Sequence, residues 1–192
     1  MDVYQLKIAL RGISPIVWRR LKIAGNTDLG DLHTIIQLAM GWKDYHLHTF
    51  RIYAKDYGTY KPGGMLFEDD PKKVFLSDFR FRVGDRFEYA YDFTAGWVHD
   101  IRIEAIESTD TPAPAPVCTG GHGFCPPEDL ENPLAFMELL HTLKNPFDSR
   151  FLSSFQLLIE SDVGLKFNRR QINSLLKDKQ KWLELGAEVI YF

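Results

Sequence analysis

The residues with the most chemistry in this chain sit in one short stretch, Cys118-Thr-Gly-Gly-His122-Gly-Phe-Cys125-Pro-Pro-Glu128-Asp129. It places two thiols, an imidazole and two carboxylates in a segment punctuated by glycine and proline. Thiolates and imidazoles are zinc ligands, so Cys118 and Cys125 together with His48 and His99 make a Cys2His2 complement. The cysteine spacing is wider than that of a zinc knuckle. A second chemistry needs no sulfur: Asp92, His99, Glu128 and Asp129 could form a small-molecule or hydrolytic site, inside a wider candidate locus that adds His48 and Trp97. In such a site an imidazole and a carboxylate exchange protons, and paired acids hold a hard cation such as Mg2+.

A third chemistry is nucleic-acid or protein binding. Arg19 and Arg20 follow directly on Trp18, a pairing of cations with an aromatic face that can stack on bases. The segment 166–181 carries six basic residues against one acid, Asp178. Each feature also has a plainer reading. His99 falls on the apolar parity of its strand, where a hydrogen-bonded core histidine is commoner than a ligand. Long basic side chains usually solvate a helix face and cover apolar surface, and two thiols in a reducing compartment can simply pack.

The elements that would position these groups follow from periodicity. Tyr4, Leu6, Ile8 and Leu10 alternate with Val3, Gln5, Lys7 and Ala9, and 16–23 alternates again with Trp18 on one parity and Leu21 and Ile23 on the other, so the two runs form a hairpin. Thr27 or Asp28 caps a helix carrying Leu29, Leu32, Ile35, Ile36, Ala39 and Met40, and Gly41 stops it. His46, His48, Phe50 and Ile52 share one face of a third strand, and the glycines and prolines of 54–73 mark an irregular insertion. A second hairpin turns at Thr94-Ala95-Gly96, opposing Phe93 to Trp97, Tyr91 to His99, Tyr89 to Ile101 and Glu88 to Arg102. Beyond a stiff Pro-Ala connector at 109–117, helices start at Asn132-Pro133, after Asp148 and after Asn168. The last runs through Leu183 to Gly186, and an apolar tail, 189–192, packs as a strand or plug.

With 192 residues, 45% hydrophobic, the chain can bury a sizeable core. A net charge of -3 and a pI near 6.1 argue against a dedicated polyanion binder and leave room for a local basic patch. No apolar run reaches the length of a membrane span and no signal-peptide core follows Met1, which points to a cytoplasmic protein without a membrane partner. There is no dinucleotide fingerprint, phosphate-binding loop, nucleophile elbow or His-Glu-x-x-His.

Several word-length matches occur in order: Pro15-Ile-Val-Trp-Arg-Arg20, Leu32-His33, Met40-Gly-Trp42, His46-Leu-His48-x-Phe50, Tyr91-Asp-Phe93 with Trp97-x-His99, and Cys125-Pro-Pro-Glu-Asp129. Together they resemble the plasmid pRiA4b ORF-3-like family over nearly the whole chain. The resemblance implies no specific activity, and only an association with mobile elements. The family pattern Asp-Phe-Gly-Asp-x-Trp is altered here to Asp92-Phe-Thr94-Ala95-Gly-Trp97, which removes a carboxylate at Ala95. Cys125-Pro-Pro-Glu-Asp129 then continues with Leu130 instead of the family's Cys-Gly-Gly.

The sequence therefore predicts an α+β fold: an antiparallel or mixed sheet of two β-hairpins around one helix, with a β-grasp-like order, and a helical C-terminal third. It divides into a β-rich body at 1–108, the connector at 109–117 and a Cys/Pro loop with helices at 118–192, packed as one unit. The expected function is a binding or regulatory module with zinc as the candidate cofactor and protein or nucleic acid as the candidate partner. The alternative is a metal-dependent hydrolase acting on a phosphate-containing or nucleic-acid substrate.

Overall fold

The computed structural model describes residues 1–59, 66–110, 114–161, 164 and 166–187. Pro62, Gly63 and Gly64 of the insertion, part of the Pro-Ala connector and the tail at 189–192 lie outside the described residues, as does the side chain of Leu183.

Seven strands form one sheet: β1 (Asp2–Leu10), β2 (Trp18–Ala24), β3 (His48–Ile52), β4 (Lys55–Tyr57), β5 (Arg86–Tyr91), β6 (Trp97–Ser108) and β7 (Val117–His122), in the order β4-β3-β5-β6-β1-β2-β7. All pairings are antiparallel, so the mixed, β-grasp-like order is not realised. The fold is α+β. Among the described residues five α-helices accompany the sheet: α1 (Leu29–Met40), α2 (Pro133–Thr142), α3 (Phe151–Glu160), α4 (Arg169–Lys177) and α5 (Lys179–Ala187).

Alternation decides which side of the sheet is covered. Leu6, Ile8, Leu21, Ile23, Phe50, Tyr89, Tyr91, Trp97 and Ile101 are all at most 1% exposed and join the core that α1 completes with Leu29, Leu32, Ile35 and Ile36. The α1 helix is capped as its sequence demands. Asp28 accepts the Asp31 N–H, and Gly41, at φ 81°, closes the far end through a bond to Gln37 O.

The second hairpin departs from the expected register by two residues. Its turn has five residues, 92–96, closed by Gly96 N to Asp92 O at 2.7 Å, so Tyr91 opposes Trp97, Tyr89 opposes His99 and Phe87 opposes Ile101. A shift of two preserves the faces, because side chains alternate with period two. It does change the partners. Glu88 opposes Asp100 rather than Arg102, and Arg11 bridges both acids.

Two further expectations are corrected. The first half of the cysteine loop is strand β7, paired with β2 from Trp18↔His122 to Lys22↔Val117. Glycines occur in this strand because a side chain at 121 would collide with the Phe167 ring, 2.4 Å from where its Cβ would stand. The last helix is two helices, since Asp178 adopts an extended ψ of 97° and its side chain accepts from Gln180 N and Lys181 N, starting α5. Asn173 of α4 clamps the outer edge of β7, accepting from Cys118 N at 2.7 Å and donating to Cys118 O at 2.9 Å.

Candidate metal centre

Three elements converge at the end of the sheet where β3 begins and β5 finishes: α1, the turn that follows it, and the first residue of β3. They bring together His33, Asp44 and His48. The donor atoms of these three lie within 4.8 Å of one another, and they are the group among the described residues that could share a metal ion. His33 and His48 are buried and their rings stack at 3.5 Å between centroids, 9° from parallel. His33 Nε2 stands 2.9 Å from Asp44 Oδ1.

Each donor is placed by local chemistry. His33 occupies the core side of α1 between Leu29 and Ile36, and its Nδ1 meets the Tyr89 hydroxyl at 2.8 Å. One turn on, Gln37 is fully buried; its Oε1 accepts Asp44 N at 3.1 Å and its Nε2 donates to Tyr89 Oη at 2.9 Å. Because a backbone N–H must donate, the orientation of the Gln37 amide is fixed. The Tyr89 hydroxyl hydrogen is then available to His33 Nδ1, and a neutral His33 that accepts it carries its ring hydrogen on Nε2, facing Asp44. An ion taken up at Nε2 would reverse this polarity, Nδ1–H then donating to Tyr89 as metal-bound histidines donate to an outer partner. Burial pushes the Tyr89 phenol well above its usual range, so it stays protonated.

Asp44 sits in a turn tied down by groups from distant segments as well as by the end of α1, where Trp42 N donates to Gln37 O at 3.0 Å. Trp42 Nε1 donates to Pro126 O at 2.9 Å. The N–H groups of Lys43 and Tyr45 donate to the two oxygens of Glu128 at 2.7 and 3.2 Å, and His46 N donates to Tyr91 Oη at 3.2 Å. Tyr91 Oη in turn donates a short hydrogen bond to Glu128. Burial, with that bond second, pushes the Tyr91 phenol well above its usual range. Asp44 itself has φ 61°, a left-handed conformation that aspartate and asparagine tolerate best after glycine. Strain of this kind persists where surrounding contacts over-determine the backbone.

The groups expected from sequence to act together are distributed as follows. His48 belongs to the centre and Glu128 reaches it as the anchor of the Asp44 turn. Asp92 lies on the hairpin turn at φ 51°, its Oδ1 accepting from Thr94 N and Ala95 N and its Oδ2 3.7 Å from His46 Nε2. Trp97 and His99 are fully buried beneath Trp42, with ring centroids 6.3 and 5.4 Å from it. Burial lowers the His99 pKa to about 4. Asp129 is exposed.

The Cys2His2 quartet does not come together. Cys125 Sγ lies 2.9 Å from Arg19 Nη2 and 3.2 Å from Met40 Sδ, while Cys118 is buried on β7 with its Sγ facing Gly120 O. Burial pushes both thiols up, so neither is an activated nucleophile. Trp18, Arg19 and Arg20 do not form one surface either. Arg19 follows the parity of Leu21 and Ile23 into the core at 3% exposure. Trp18 and Arg20 face out, with Arg20 and Lys7 over the Trp18 ring and Arg20 paired to Glu104 at 2.5 Å.

His33, Asp44, Gln37 and Tyr89 were not singled out from the sequence as site residues. The signal was present in part: His33 and Gln37 stand four apart on the apolar face of α1, where a polar side chain must find a partner.

The profile of the plasmid pRiA4b ORF-3-like proteins matches residues 2–173. This chain belongs to that family. Similar to this pRiA4b ORF-3-like chain is the uncharacterized protein y4hQ of Sinorhizobium fredii (strain NBRC 101917 / NGR234), 33% identical over 185 residues that cover 94% of each chain. A crystal structure of a protein of unknown function, MM3350 from Methanosarcina mazei Go1, superposes with a TM-score of 0.75 at 30% identity, covering 88% of this chain and 96% of that one. No described helix of this family member is long and apolar enough to cross a membrane.

Proposed function

We propose that this pRiA4b ORF-3-like chain is a binding module that holds one divalent first-row metal ion, zinc by preference, through His33, Asp44 and His48. The convergence of three donor atoms from separate elements within 4.8 Å carries the reading. Two imidazoles and a carboxylate suit zinc and its neighbours better than Ca2+ or Mg2+, which favour all-oxygen shells. Support also comes from the outer partners: Tyr89 on the His33 ring and Gln37 on the Asp44 backbone are the kind of groups that orient metal ligands.

Protein purified without chelator should carry close to one metal per chain. Asp44→Asn tests the site without disturbing the fold, since asparagine accepts the left-handed backbone. An ion at 100 times its Kd stabilises the native state by about 2.7 kcal/mol, which is about 5–11 °C in Tm for a chain of this length. That shift is expected in the wild type and absent in Asp44→Asn. Less than about 0.2 metal per chain, or equal shifts in both proteins, refutes the reading.

A second reading, metal-dependent hydrolysis of a phosphate-containing or nucleic-acid substrate, draws on the donor count, because three protein ligands leave a position for water. The burial of both histidines weighs against substrate access. Turnover lost in Asp44→Asn with folding intact would favour hydrolysis over binding alone.

A further inference from the structure

A cavity of about 490 Å3 opens between the C-terminal end of α1, the turn at 41–45 and helices α4 and α5. That is within the size range of pockets that take small organic ligands. Its wall is of two kinds. Leu38, Ile172 and Leu175 give an apolar side, while Arg19, Lys43 and Lys166 give a cationic one. The acid in its lining, Glu184, pairs with Lys181 at 2.5 Å.

Arg19 is the decisive member. Its Nε and Nη1 hydrogens go to the carbonyls of Ala39, Trp18 and His122, and one Nη2 hydrogen goes to Cys125 Sγ. Among the described residues no carboxylate stands within ion-pair distance of it. The Phe167 ring lies 5.0 Å from the guanidinium carbon. A guanidinium at 3% exposure held only by neutral acceptors keeps a full positive charge at the cavity wall. With five N–H donors and four used, it also has one to offer.

We propose that this cavity binds a small organic anion, an acidic head facing Arg19 and Lys166 and an apolar body lying along Leu38, Ile172 and Leu175. The site is separate from the metal centre, whose three donors do not line it. Each therefore stands or falls on its own measurement.

The probe is 8-anilinonaphthalene-1-sulfonate, with its uncharged parent N-phenyl-1-naphthylamine as control, titrated by fluorescence into the full chain at 0.15 M salt. Saturable one-to-one binding is expected, with displacement by octanoate at concentrations where octanol has no effect. Leu175→Trp, which fills the cavity from α4, should weaken the sulfonate at least tenfold. Gln171 lines the same cavity and is exposed, so Gln171→Glu leaves packing intact. It should weaken the sulfonate at least threefold while leaving the neutral control within twofold. No saturable binding, equal displacement by octanol and octanoate, or an unchanged affinity in Gln171→Glu overturns the proposal.

Discussion

Glu128 is the residue through which the Asp44 turn can be loosened without touching a metal donor. One of its oxygens accepts Lys43 N and the other accepts both Tyr45 N and the Tyr91 hydroxyl. In Glu128→Gln the amide oxygen keeps the position with two donors and the new NH2 group faces the Lys43 N–H, two donors where one bond had been. Losing a hydrogen bond to a charged group costs about 1.5–3 kcal/mol. Lys43 is exposed, so water can replace part of it, and about 2 kcal/mol is expected. Glu128→Ala leaves two backbone N–H groups and a buried phenol without this acceptor, for about 3–9 kcal/mol at about 1–3 each. That is a large part of a total stability of about 5–15 kcal/mol.

The same change should reach the metal. Asp44 lies between the two N–H groups that Glu128 holds, and removing an outer partner of this kind weakens metal sites about 10- to 100-fold. The assay is urea denaturation of the chelator-stripped protein, followed by titration with Zn2+ of wild type and Glu128→Gln. A loss under about 0.5 kcal/mol with unchanged zinc affinity would refute the role assigned to Glu128, since surface changes alone fall in that range.

Two other perturbations test neighbouring parts. His99, buried with its pKa lowered to about 4, stays neutral where an unfolded histidine near 6.5 takes up a proton. Stability should therefore fall as pH drops from about 6.5 toward 4, by at most about 1.4 kcal/mol per pH unit and about 3 kcal/mol in all. Denaturation curves at pH 7 and 5 should show that part of the slope missing in His99→Phe; an unchanged slope contradicts it. Gly58 packs against the first residue of β3, where an added Cβ would stand 2.8 Å from His48 O and 2.6 Å from the Phe67 ring. Gly58→Ala should lower both Tm and zinc affinity, and a protein unchanged in both would show that the β3 backbone yields freely.

Much of the sheet was legible because period-two alternation survives errors of register. The second hairpin was displaced by two residues, yet Tyr89, Tyr91, Trp97 and His99 kept their face. What failed was the turn. With five residues instead of three, Asp92 left the strand for a left-handed position at the start of the turn. Arg19 shared the inward parity of Leu21 and Ile23, but its charge argued for the surface. Only the carbonyls at the end of α1 and on β7, contributed by distant chain segments, explain why it can be buried.

The candidate centre was half legible for a similar reason. His48 could be read from strand periodicity and Glu128 from the acid-rich loop, and both reach the same place. Their partners could not be read so easily. Asp44 sits in an irregular turn whose shape depends on Glu128, 84 residues further along the chain, and no local pattern encodes such a contact. The thiols drew attention by their chemistry, whereas the fold uses Cys118 and Cys125 as packed side chains beside Asn173 and Arg19.

The most direct test of the central claim is X-ray absorption at the zinc edge of the metal-loaded chain. Coordination by His33, Asp44 and His48 predicts a shell of nitrogen and oxygen at about 2.0–2.2 Å, outer scattering from two imidazole rings and no sulfur. A sulfur shell at about 2.3 Å would place the ion on Cys118 or Cys125 and contradict the account.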